Sequence, residues 1–139
     1  MDWESAFNSI IAALGTAAVY LFGGWDMMLQ VLLIFIAFDL LTGVMAAFKK
    51  KDVSSDVYLY GAIRKVGILI LVSIGHLLDI VMHFEDPMVR TAVIFWLIAR
   101  EGISILENLG VMGVNIPEIL EEALRILKKE HEQWEGDNR

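Results

Sequence analysis

Two groups of residues could do chemistry here: Asp39, Thr42 and Gly43, and, further on, Arg100, Glu101, Ser104 and Glu107. Each sits within a long run of Leu, Ile, Val, Phe and Ala. Asp39, Thr42, Gly43, Ala46 and Ala47 follow one another at helical spacing and share one helix face, small residues plus a carboxylate. Such a face suits contact between helices rather than contact with lipid. An ionised side chain at the middle of a bilayer costs about 2.5 to 3.5 kcal/mol, so Asp39, Arg100 and Glu101 need partners. Asp39 follows Met27, and Arg100 follows Met88, by the same interval, about 18 Å at 1.5 Å per residue. Equal depth makes Asp39 with Arg100 the preferred pair, within one subunit or between two. Arg100 can alternatively pair with Glu101 or extend toward the membrane surface.

Other chemistries find less support. His76, Asp79 and His83 lie at i, i+3 and i+7 and invite a metal, but no fourth ligand or HExxH pattern accompanies them. They also adjoin Phe84-Glu85-Asp86-Pro87, where polar residues should leave a bilayer. No metal and no cofactor is expected. The sequence has no cysteine, which excludes a thiolate nucleophile and a disulfide framework. It has no nucleophile paired with a base and no phosphate-binding loop, so an enzyme is not expected. A formal charge of -7 with no basic stripe argues against nucleic acid as a partner.

The elements that must carry these groups read as all-α. With 57% hydrophobic residues in 139, the chain has too little polar surface to wrap several long apolar helices in water, and an integral membrane helical protein is expected. Four transmembrane helices are predicted, over 6–23, 27–48, 62–82 and 88–109. The first can also be read as an interfacial amphipathic helix. The opening Met1-Asp2-Trp3-Glu4 is acidic where a signal peptide is basic, so this first span is expected to stay in the mature chain. Trp3 and Trp25 would mark its two headgroup regions.

Lys49, Lys50, Lys51, Arg64 and Lys65 fall between the second and third spans. Loops rich in Lys and Arg stay cytoplasmic, which places both termini in the cytoplasm. A transmembrane domain, 1–114, is then followed by a cytoplasmic segment, 115–139. There Pro117 opens a helix whose apolar stripe includes Ile116, Ile119, Leu120, Leu124, Leu127 and Trp134.

The run Phe38-Asp39-Leu40-Leu41-Thr42-Gly43, then Ser54-Ser55, Gly61, Ile63-Arg64-Lys65-Val66, Glu101 through Asn108 and Pro117 resembles a known family. It is similar to the phage lysis and toxin-secretion holins of Gram-positive bacteria and their phages, the clostridial toxin-release holin among them. Asp39, Gly43, Gly61, Arg64, Lys65, Glu101 and Ser104 match that pattern; Arg100 lies outside it. The resemblance implies a small protein of the bacterial cytoplasmic membrane. Such a protein forms homo-oligomers in the lipid bilayer and opens lesions that release a muralytic enzyme (endolysin) or a large toxin, timing lysis. A small oligomeric ion channel or transporter component is the alternative reading of the same charges.

Overall fold

The computed structural model describes residues 2–51, 55–123 and 126. Among these the chain folds into α1 (Trp3–Phe22), α2 (Met27–Lys50), α3 (Ser55–Val81) and α4 (Met88–Met112). α1 ends where Gly23 adopts the left-handed conformation at φ 75°, returning its N–H to the Val19 carbonyl. A β-carbon at Gly23 would collide with the His76 ring, so glycine is needed for both the turn and the contact. Asp26 caps α2, its side chain accepting from the Leu29 N–H at 2.9 Å. His83, also at positive φ (53°), closes the end of α3.

The third helix begins at Ser55, well before the expected 62, because no glycine or proline interrupts the chain between Ser55 and Tyr60. Arg64 and Lys65 are therefore helical residues and not part of a loop. Among the described residues, three segments are long and apolar enough to cross a membrane: Trp3–Phe22, Met27–Lys50 and Leu59–Val81. α4 is as long but carries Arg90, Arg100, Glu101 and Glu107. A helix resumes at Glu118, with the Pro117 carbonyl accepting from the N–H groups of Leu120 and Glu121. The expected stripe residues Leu124, Leu127 and Trp134 lie outside the described residues.

Helices α2 and α4 run side by side in the same direction, with α3 antiparallel to both. Asp26, before α2, meets Arg90 near the start of α4, and Asp39 and Thr42 meet Asn108 near its end. The apolar core joins Leu29, Leu32 and Ile36 of α2, Ile68 and Val72 of α3, and Ile94 and Leu97 of α4. Gly75 lets α3 close on α4, since a β-carbon there would lie 3.1 Å from the Arg90 Cα. No residue of α1 is buried. The large side chains turned outward, among them Ile34, Phe38, Ile70, Ile74 and Phe95, match an environment of acyl chains.

Candidate functional site

Buried ion clusters lie at both ends of the apolar core. In the first, the Lys65 ammonium on α3 donates to Asp39 Oδ2 of α2 at 2.5 Å and to Glu101 Oε2 of α4. Lys65 and Asp39 are each 6% exposed and Glu101 is 2% exposed. One cation thus serves two carboxylates contributed by two other helices. The remaining Asp39 oxygen accepts from the Asn108 amide at 3.3 Å, and the same amide reaches the Thr42 hydroxyl at 3.2 Å. Thr42 in turn donates to the Phe38 carbonyl at 2.8 Å. Five side chains from three helices form one hydrogen-bonded unit at a level where the flanking residues are apolar.

This arrangement changes the expected pairing. Asp39 is paired with Lys65 and not with Arg100, which lies on the exposed face of α4 with its guanidinium 5.6 Å from the centre of the Trp96 ring. Asp39 and Glu101 do lie at one level of the bundle, but consecutive helical residues point about 100° apart, so Arg100 and Glu101 cannot both face inward. Glu101 takes the interior position. Ser104 and Gly43 are half-buried beside the cluster and Glu107 is exposed. Lys50 and Lys51 are exposed at the end of α2, while Lys49 reaches toward Gly113, just past the carbonyl end of α4, where a cation is favoured.

The second cluster was not anticipated. Arg90, 1% exposed, donates from Nε to the Phe22 carbonyl of α1 and from Nη1 to Asp26 Oδ2 at 2.5 Å. Its Nη2 is buried without a partner. Asp79 of α3 accepts from the backbone N–H groups of Val89 and Arg90, both at 2.8 Å, and so caps α4 from a neighbouring helix. Asp79 thereby has a structural use in which His76 and His83 have no part. The hydrogen bond from Arg90 holds the Asp26 carboxyl below its usual range, against the opposing effect of partial burial. The sequence signal for this cluster was a charged residue three positions past Pro87, on a helix whose first turn needed an acidic cap.

The model of the bacteriophage holin family matches residues 16–129. The chain belongs to that family. A probable holin of Bacillus phage phi105 is 32% identical over 121 residues, covering 87% of this chain and 88% of the phage protein. An uncharacterized 14.9 kDa protein of Clostridium perfringens is 41% identical over 127 residues, 89% of this chain and 96% of that one. A protein of Halalkalibacterium halodurans is 36% identical over 130 residues, 90% and 96% of the two chains. No solved structure matches the chain. In this holin-family chain the apolar helices make a membrane protein, and the ion clusters are the polar interior of that membrane bundle.

Proposed function

We propose that this chain is a working holin: it accumulates in the bacterial cytoplasmic membrane, forms homo-oligomers and opens lesions that release a muralytic enzyme or a large protein toxin, so timing lysis. The observation that carries this reading is the Lys65 cluster. Its charged groups are satisfied by one another and by the Asn108 amide, at mid-helix, in a chain of a family of holins. Buried ion pairs contribute little net stability, because the cost of removing charge from water nearly offsets their attraction. A membrane protein that only had to hold together would do as well with leucines there. Groups that are paired in the resting bundle and tolerate water when the pairs separate suit a protein with a closed and an open state. The holin family is not an enzyme family, and the carboxylates are read here as structural switches rather than catalysts.

All four helices span in this reading. Two of the charges that make α4 too polar to insert alone, Arg90 and Glu101, are neutralised by partners on α2 and α3 or their turns. The lysine-rich end of α2 then lies in the cytoplasm together with both termini and the segment from residue 115.

Inducible expression in a bacterium, with a cytoplasmic muralytic enzyme co-expressed, tests the proposal. Membrane potential and viability should collapse together after a delay, with lysis only when the enzyme is present. Graded ion leakage without enzyme release would favour the channel reading, and no effect at high membrane levels would overturn both.

A further inference from the structure

Helices α2 and α3 both pack on α4 but scarcely on each other. Between them, where Lys65 reaches across, lies a cleft of about 250 Å³ whose lining includes Asp39, Gly43, Gly61, Arg64, Ser104 and Asn108. The glycines do not bring backbones together here. A β-carbon on Gly61 would meet nothing within 4 Å, and one on Gly43 would meet only the Asn108 amide at 3.6 Å. Glycine in a membrane helix ordinarily permits close helix contact, whereas Gly61 faces open space and Gly43 only a side-chain amide, which leaves the cleft unfilled. The lining holds a carboxylate, a guanidinium, an ammonium, a hydroxyl and an amide. Leu40, Val44 and Ala47 make the rest of the lining apolar, but the polar groups give water the partners it needs, whereas a cavity lined only by apolar groups stays dry.

We infer that the cleft between α2 and α3 is the seam through which water enters the bundle when the lesion opens, with the two ion pairs of Lys65 as its closure. This inference rests on the holin reading and adds the location of the path. Water reaching Gly61 and Ser104 meets Lys65, Asp39 and Glu101 next, and solvation of the separated charges offsets the loss of their mutual attraction. The outward face around Ile70 and Ile74 of α3 has no such groups to hydrate, and it stays against lipid.

The absence of native cysteine allows a direct test in the full-length chain. Gly61→Cys and Ser104→Cys are exposed, in protoplasts, to a membrane-impermeant thiol reagent before and after the potential collapses. Ile70→Cys, on the lipid side, and Val72→Cys, in the core, serve as controls. Labelling at Gly61→Cys and Ser104→Cys should rise several-fold on collapse while both controls stay unreactive. Collapse with Gly61→Cys unlabelled, or labelled only by a lipid-soluble reagent, overturns the seam and leaves the holin reading intact. Equal labelling at Ile70→Cys overturns it too, because the path would then run over the outer face of α3. Absence of collapse with normal accumulation overturns the holin reading and the seam together. As a second variant, Gly61→Leu fills the cleft at a position with room for a side chain; it should accumulate normally and delay collapse, and unchanged timing would count against the seam.

Discussion

The two ion clusters are built from similar side chains but tied to different things. Apart from the Arg90–Asp26 ion pair, Arg90 and Asp79 bind backbone: the Phe22 carbonyl that ends α1 and the N–H groups that begin α4. Those groups stay in place as long as the helices exist. Lys65, Asp39, Glu101, Asn108 and Thr42 bind chiefly one another's side chains, which can rotate away without unwinding any helix. The first arrangement fixes helix ends, while the second can be exchanged for water. Under the proposed function, one end of the bundle is a joint and the other a latch.

Lys65→Met should produce the largest effect, since it leaves two carboxylates buried without a cation. Breaking such a pair costs about 3 to 5 kcal/mol. Thermal unfolding in detergent should show it, and adding Asp39→Asn with Glu101→Gln should restore most of the loss. If Lys65→Met alone were neutral, the latch would be no latch. Arg90→Met should cost less, about 1.5 to 3 kcal/mol, the range for hydrogen bonds to a charged group. Its Asp26 partner is partly exposed and can turn to water. Here the diagnostic reading is local: protease sensitivity should rise in the turn 23–26 while lysis timing changes less than in Lys65→Met.

Acid should act on the joint only below the range in which the ordinary carboxylates are neutralised. Asp26 has its carboxyl lowered from the ordinary 3.8, first by the hydrogen bond from Arg90. A depressed folded value means its stabilisation is complete above 3.8 and disappears as pH falls through the folded value. Tryptophan fluorescence followed through acid titration in detergent should therefore show a transition in that window that Asp26→Asn removes. The smallest effect should come from Arg100→Gln. Its exposed stacking on Trp96 is worth about 0.5 to 1 kcal/mol. A cost well above that would mean that Arg100 finds a partner in the assembled oligomer, as the depth argument first placed it.

The helices were largely legible from hydropathy: expected spans at 27–48 and 88–109 compare with Met27–Lys50 and Met88–Met112. The start of α3 was not legible, because the polar residues before Tyr60 resemble a loop until the absence of breakers is weighed. Within the buried polar groups, apolar runs reveal how deep a charge lies but not which way it points. That is why equal depth matches Asp39 with Arg100 although within one subunit Arg100 points away, and why Lys65 falls in with the basic loop although it is enclosed by Asp39 and Glu101. Arg90 gives no signal of its own and Asp79 reads only with the neighbouring histidines, because both lie beside a turn, where charge is ordinary and burial has to be seen.

Helix α1 buries none of its own residues, and the family match begins only at residue 16. Core positions such as Leu32 and Val72 must suit several neighbours at once, so a change in one restricts changes in the others. Most of α1 is under no such restriction. Its first turns can drift in sequence as long as they remain apolar and of sufficient length, and selection bears mainly on the Phe22–Gly23 end that Arg90 and His76 hold. Among related chains, divergence should accordingly concentrate in the helix that comes first, while the level of Lys65 changes only by compensated pairs of substitutions.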